Sequence, residues 1–135
     1  YPTAATAGRA QAAGWLYVLE EDGRLQGSVI LNSLQAKEYR SIPWLYPAAD
    51  SEVLVVHTLC VPPRCAGRGV GTRLVDFALG FAYGAGMRAV RLDTNALNFP
   101  AQRLYQKLGF RLAGRSRAVH EGVLDTELVY LERQL

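Results

Sequence analysis

The apolar and polar residues of this chain follow two periodicities, which together predict nine secondary-structure elements. Runs of β-prone residues predict strands, and apolar residues three or four positions apart predict helices. In chain order we expect a helix over 3–13, strands over 15–20, 25–31 and 53–61, a helix over 69–84, a strand over 88–92, a helix over 100–108, and strands over 110–118 and 124–131. This order predicts an α/β fold in which helices flank a mixed sheet.

Local signals add detail to this outline. The pair Asp22-Gly23 lies between two β-prone runs, which is a strong hairpin signal. Residues 32–50 are expected to form a loop with at most one helical turn. The helix over 69–84 is expected to bury one face, made of Val70, Leu74, Phe77, Ala78, Phe81 and Ala82.

Length and composition restrict the class of protein. The 135 residues suffice for one domain over 1–135, and no apolar run approaches the roughly 18 residues that span a bilayer. Without a leader-like start, we expect a cytoplasmic protein. Cys60 and Cys65 lack the spacing of a metal site, so we expect reduced thiols and no metal. The net charge of +3 suits an anionic ligand, but the basic residues are scattered, which argues against nucleic-acid binding.

A glycine-rich bend is the most informative local motif. Arg64, Gly67, Gly69 and Gly71 follow one another in an Arg-x-x-Gly-x-Gly-x-Gly pattern between a predicted strand and a predicted helix. Glycine leaves the backbone amides accessible and tolerates positive φ, and a helix N-terminus attracts anions. The bend therefore predicts a site for a phosphate or pyrophosphate group.

A second motif lies about 30 residues further on, over 98–110. It contains Asn98, Ala101, Leu104, Tyr105, Gly109 and Phe110. These positions, together with Arg64, Gly67 and Gly69 of the first motif, resemble the signatures of the GCN5-related N-acetyltransferase (GNAT) family. The resemblance implies a splayed mixed sheet. It also implies that the first strand and helix of the family fold are missing from the sequence.

The same resemblance implies that acetyl-coenzyme A is the co-substrate and that an amine, on a small molecule or a protein, is the acceptor. It is also compatible with a homodimer. Backbone groups near Leu59, Cys60 and Val61 would hold the pantetheine arm. The phosphates would lie on the backbone of the glycine bend. The cofactor residues of that bend and beyond it are Arg64, Ala66, Gly67, Arg68, Gly69, Val70, Gly71 and Asn98. Asn98 would either cap its helix or contact the pantetheine arm.

Two residues are candidates for catalysis. In the family a tyrosine at the position of Tyr105 protonates the departing thiolate, although Tyr105 is also explained as the aromatic residue of an amphipathic helix. His57 would accept the proton of the amine, and alternation along the strand predicts that it shares a face with Leu59 and Val61. A structural histidine or an ordered water as base are the alternatives. His120 is expected at the surface.

Trp44 and Tyr46 lie in a proline-bounded loop, where they would either wall the acceptor pocket or anchor the loop to the core. Two other functions remain open. One is a dinucleotide-binding fold, in which Asp93 would bind a ribose, and the glycine spacing argues against it. The other is a coenzyme A-binding module of the same fold that has no catalytic activity.

Overall fold

The computed structural model of the protein describes residues 4–120 and 124–135. It contains the nine predicted elements in the predicted order. The helices are α1 (Ala4–Ala12), α2 (Val70–Gly84) and α3 (Phe99–Lys107). The strands are β1 (Leu16–Glu21), β2 (Arg24–Asn32), β3 (Val53–Cys60), β4 (Ala89–Asn95), β5 (Arg111–His120) and β6 (Leu124–Gln134).

The strands form one mixed sheet in the order β1-β2-β3-β4-β6-β5. Every neighbouring pair is antiparallel except β3 and β4, which are parallel. The mixed sheet is therefore confirmed. A dinucleotide-binding fold needs several parallel strands wound through crossover helices, so this alternative is excluded by the sheet.

The β1–β2 hairpin turns at the predicted pair. Asp22 has φ 52° and Gly23 has φ 74°, and Glu21 is the partner of Arg24 across the turn. Two consecutive positive φ angles are what the two-residue hairpin turn of type I′ requires. The hairpin places the start of β2 beside the end of β3, because Ser28 is opposite Cys60.

Both faces of the sheet are covered by apolar residues. Alternation along β3 sends Leu54 and Val56 into the layer beneath α2 and α3, whereas Val53 and Val55 enter the layer on the other face. The second layer also holds Tyr39, Ile42 and Tyr130. The two faces are called here the helix face and the loop face.

The buried stripe of α2 differs from the predicted one. Phe77 and Phe81 are 46% and 38% exposed, so the expectation that they are buried was wrong. Their rings contact Tyr17 of the edge strand β1, with centroids 5.2 and 5.6 Å away. The two phenylalanines therefore lie at the flank of the helix, over the open edge of the sheet. The buried residues of α2 are Val70, Leu74, Val75, Ala78 and Ala82.

The long segment between β2 and β3 contains two short 3-10 turns, Lys37–Ser41 and Asp50–Glu52, where at most one helical turn was expected. A buried polar network fixes its middle part. The fully buried Glu132 carboxylate accepts hydrogen bonds from the N–H groups of Leu45 (2.7 Å) and Tyr46 (3.3 Å). Arg91, opposite Glu132 in the sheet, donates to the carbonyl of Tyr46 at 3.0 Å. These bonds hold the segment against the loop face.

Candidate active site

A gap between β3 and β4 forms the centre of the site. The two strands pair only from Val53–Ala89 to Val55–Arg91, although β3 continues to Cys60 and β4 to Asn95. A cavity of about 670 Å³ opens where the pairing stops. It is lined by Val56, Thr58, Leu59, Val61, Cys65, Ala66, Gly67, Gly69, Val70, Gly71, Thr72, Asp93, Thr94, Asn98, Pro100, Ala101, Leu104 and Tyr105.

The glycine bend forms one end of this cavity. Gly67 has φ 76° and Gly69 has φ 75°, and a Cβ at either position would meet no atom within 4 Å. The backbone conformation, and not crowding, therefore requires glycine at both positions. The N–H of Arg73 is the donor to Gly69 O at 3.1 Å. The amides that precede Arg73 in α2 have no partner within the helix, so this end of the cavity suits an anion.

Helix α3 forms the opposite wall. A Cβ on Gly71 would lie 3.1 Å from Cδ2 of Leu104, so the small residue allows α2 and α3 to approach each other. The Asn98 side chain accepts a hydrogen bond from the N–H of Ala101 at 3.2 Å and also lines the cavity. Asn98 is thus the N-cap of α3.

Tyr105 lies on α3 and is buried at the cavity wall, with its ring 5.7 Å from that of Phe110. Burial, and then the negative charge of Asp93, raise the pKa of Tyr105 to about 12. The phenol is therefore neutral at pH 7 and keeps its proton as a potential hydrogen-bond donor at the cavity wall.

A β-bulge in β3 changes the direction of the side chains next to the gap. Ser28 is opposite Cys60 and Ile30 is opposite His57, so two steps along β2 match three steps along β3. Thr58 has φ 47° at this point. The bulge ends the simple alternation, and Leu59 packs in the helix-face layer together with Val56. The expectation that His57 shares a face with Leu59 and Val61 was therefore wrong.

His57 does not line the cavity and is half-buried on the loop face. Its Nε2 lies 2.7 Å from Oδ1 of Asn32, which also accepts the N–H of Leu34. Burial lowers the pKa of His57, while the charge of Asp93 and a backbone hydrogen bond at Leu34 oppose this shift. The imidazole is neutral at pH 7 and has a fixed orientation.

Asp93 was not among the predicted residues of the acetyltransferase site. It was considered only as a ribose ligand in a dinucleotide-binding fold. It lies on β4 beyond the last β3 pair, is exposed and lines the cavity. Its Oδ2 accepts a hydrogen bond from the hydroxyl of Tyr39 at 2.7 Å. Its charge acts on the pKa of both Tyr105 and His57. The signal in the sequence is an acidic residue directly after the apolar strand residues Val90 and Leu92.

A cavity between splayed strands, with a glycine bend at one end and a tyrosine of the following helix in its wall, matches the arrangement that the two motifs imply. The model of the Acetyltransferase (GNAT) family matches residues 3–110 of the chain. The chain belongs to the GNAT acetyltransferase family.

Two curated relatives and one solved structure illustrate the likeness of this GNAT chain. A streptothricin acetyltransferase of Escherichia coli is 33% identical over 95 residues, which are 70% of this chain and 51% of the relative. The N-alpha-acetyltransferase RimI of Mycobacterium tuberculosis is 40% identical over 62 residues, or 46% of this chain and 37% of the relative. The chain thus spans about half the length of the first. The solved structure is an acetyltransferase of Bacillus subtilis in complex with CoA, which superposes with a TM-score of 0.66 at 20% identity. The superposition covers 89% of this chain and 76% of the Bacillus subtilis chain.

The cavity of this GNAT fold brings together most of the predicted cofactor residues, namely Leu59, Val61, Ala66, Gly67, Gly69, Val70, Gly71 and Asn98, with Tyr105. Cys60, Arg64 and Arg68 do not line it. Arg64 donates to the carbonyl of Leu25 at 2.6 Å and to Sγ of Cys65 at 3.1 Å. Arg64 therefore ties the glycine bend to the β1–β2 hairpin, and both arginines line a second cavity there.

Trp44 and Tyr46 lie on the loop face and outside the cavity lining. The Trp44 ring is 5.4 Å from that of Tyr39, its Nε1 donates to Tyr39 O at 2.8 Å, and the Arg91 guanidinium lies 4.4 Å from the ring centroid. These contacts correspond to the anchoring interpretation of Trp44.

Within 4–120 and 124–135, no helix has the length and apolar character to cross a membrane. In the same described part of the chain, no three His, Cys, Asp or Glu side chains are grouped so that they could hold a metal ion.

Proposed function

We propose that residues 1–135 form one domain that transfers the acetyl group of acetyl-coenzyme A to a primary amine by direct attack in a ternary complex. The observation that carries this proposal is the continuity of the cavity. It runs from the glycine bend at the start of α2 to the gap in the sheet, where it meets Tyr105 and Asp93. A long cofactor with an anionic end and a reactive end fits such a path.

The cofactor is proposed to lie on the helix face. Its pyrophosphate binds the amides from Ala66 to Gly71, including those of Arg68 and Val70, because these surround the N-terminus of α2. Its pantetheine arm runs beside Leu59 and Val61, in the part of β3 that has no pairing with β4, and bonds to the backbone as an added strand would. An amide near Leu59 or Cys60 then faces the thioester oxygen.

The acceptor is proposed to approach the gap from the loop face, past Trp44 and Tyr46. The amine nitrogen attacks the thioester carbonyl carbon, and His57 takes the proton of the amine, directly or through a water. The tetrahedral intermediate then collapses, the carbon–sulfur bond breaks and Tyr105 donates a hydrogen bond or proton to the departing thiolate. The products are an N-acetylated amine and coenzyme A.

An acyl-enzyme on cysteine is disfavoured by position. Cys65 is buried at the glycine bend, where its Sγ contacts Gln26 and Arg64 at 3.1 Å each. This location is beside the proposed phosphates and away from the thioester. Cys60 does not line the cavity.

The relatives are named as acetyltransferases of streptothricin and of protein N-alpha groups. These names support an amine acceptor on either a small molecule or a protein. The alternative is a coenzyme A-binding module of the same fold without catalysis. The buried Tyr105 at the cavity wall favours the enzyme, because a binding module has no use for a proton donor at the gap.

Acetyl-coenzyme A turnover over a panel of primary amines separates the enzyme from the binding module. We expect amine-dependent release of coenzyme A. Tyr105→Phe should lower kcat by about ten- to several-hundred-fold and leave acetyl-coenzyme A affinity nearly unchanged. Tyr83→Phe, which changes an exposed tyrosine of α2, is the matched control and should keep full turnover. Tight binding of acetyl-coenzyme A without release of coenzyme A for any amine would support the binding module. Full activity of Tyr105→Phe would show that Tyr105 is only a packing residue.

A further inference from the structure

We infer that Asp93 makes the acceptor end of the cavity selective for amines that carry no carboxylate and that carry a second positive charge. This inference rests on the proposed acetyl transfer and adds the class of acceptor to it. Its basis is an uncompensated carboxylate that is held in place at the gap, where the acceptor and the thioester would meet.

Asp93 has a defined position. The hydroxyl that donates to it at 2.7 Å belongs to Tyr39, which is only 2% exposed. Tyr39 is itself fixed, since its carbonyl accepts from Trp44 Nε1 and its ring lies 5.3 Å from that of Tyr130 at 88°. A rigid phenol donor thus holds one oxygen of the carboxylate in place at the lining of the cavity.

Within the described part of the chain, no cation is paired with Asp93 to neutralise it. Of the described residues that line the cavity, Asp93 alone has a charged side chain. None of the ion pairs among the described side chains includes it. Arg91 lies two positions earlier on the same face of β4, but it is buried, and its guanidinium donates to Gln35 and to the carbonyl of Tyr46. His57 across the gap is neutral at pH 7.

The chemistry of the other lining residues points the same way. Between Asp93 and the glycine bend the lining is apolar or uncharged, as Val56, Leu59, Thr94 and Tyr105 illustrate. A low-dielectric wall strengthens the field of a single fixed charge. A carboxylate on the acceptor would meet this field without a basic partner in the cavity, whereas an ammonium group would be attracted to it.

The test uses three straight-chain amines of five carbon atoms each, which differ in the group at the far end: cadaverine (ammonium), pentylamine (methyl) and 5-aminopentanoate (carboxylate). Affinity is measured by calorimetry on the full chain saturated with coenzyme A, so that the readout does not depend on turnover. We expect cadaverine to bind most tightly and 5-aminopentanoate most weakly, with about ten-fold between these two, and we expect added salt to reduce the difference.

Asp93→Asn tests the residue itself, because an amide oxygen still accepts the Tyr39 hydroxyl while the charge is lost. The three affinities should then converge. Asp76→Asn removes the same charge from the exposed face of α2 and should leave the order intact. Equal affinities in the unmodified protein, tighter binding of 5-aminopentanoate, no binding of cadaverine, or an unchanged order in Asp93→Asn would overturn the inference. Absence of acetyl transfer to any amine, measured separately, would instead overturn the proposed function.

Discussion

Tyr105 and His57 lie on opposite sides of the sheet, and Asp93 lies at the gap between them. Tyr105 is on the helix face, where the cofactor is proposed to bind, and His57 is on the loop face. Asp93 influences both, since its charge raises the pKa of Tyr105 and opposes the lowering at His57. The arrangement separates the proposed proton donor for the thiolate from the proposed proton acceptor for the amine, so no proton passes directly from one to the other.

The pH dependence of kcat/KM tests the proposed base at the scale of single residues. His57 must be neutral to accept a proton, so kcat/KM should rise with pH through the pKa of His57. Burial lowers that pKa, so the inflection should lie below the ordinary histidine value of about 6.5. At pH values above this inflection, kcat/KM should rise less steeply, because only deprotonation of the amine still contributes.

Two variants complete this measurement. His57→Ala should remove the inflection. Asp93→Asn should move it to lower pH, because the Asp93 charge favours the protonated imidazole. If the pH profile is the same in His57→Ala and in the unmodified protein, water and not His57 accepts the proton of the amine. An inflection that moves to higher pH in Asp93→Asn would contradict the described effect of Asp93 on the pKa of His57.

Among the elements, the start of α2 contributes backbone groups to the proposed cofactor site. Gly69→Val places a β-branched side chain at φ 75° and covers the amides next to it. We expect roughly a ten-fold or larger loss of acetyl-coenzyme A affinity, because valine is strained at this positive φ and shields the amides. The circular dichroism spectrum should stay unchanged, since the strain is confined to an exposed bend. Gly80→Val, in the exposed part of the same helix, is the control. Unchanged acetyl-coenzyme A affinity in a folded Gly69→Val protein would show that the phosphates do not bind at this bend.

The segment between β2 and β3 depends on β6 for its position. Glu132→Ala leaves two part-buried N–H groups without an acceptor and the buried Arg91 without the negative charge of Glu132, so we expect a loss of about 3–5 kcal/mol in the free energy of unfolding. The loss is measured by urea unfolding. Glu127→Ala breaks only an exposed ion pair with Arg115 and should cost about 1 kcal/mol or less. Similar losses in both variants would mean that the buried network does not hold the segment.

Elements whose signals are local could be predicted from the sequence. The Asp22-Gly23 hairpin, the glycine bend and the Asn98 cap each depend on a few neighbouring residues, and each lies where it was expected. The predicted orientation of His57 was wrong because of the bulge at Thr58. This bulge depends on how β3 aligns with β2, which the sequence of β3 alone does not specify.

Other parts of the site depend on contacts between residues far apart in the chain. The Tyr39–Asp93 hydrogen bond joins residues separated by 54 positions, and the Leu45–Glu132 bond joins residues separated by 87. Neither pair has a sequence spacing that indicates contact. His120 was expected at the surface, but its side chain lies outside the described residues.

At the scale of the whole molecule, the gap in the sheet is the place where the two ligands are proposed to meet. The cofactor would enter from the helix face and the acceptor from the loop face, and neither would block the other. This arrangement supports the proposed direct transfer between the two ligands, in which no covalent acetyl-enzyme forms.

Initial rates measured at several concentrations of both acetyl-coenzyme A and an amine that is turned over test this claim most directly. A ternary complex predicts double-reciprocal lines that intersect, and turnover largely retained after replacement of Cys60 and Cys65 by serine. Parallel lines, together with an acetyl group trapped on the protein in the absence of amine, would contradict it.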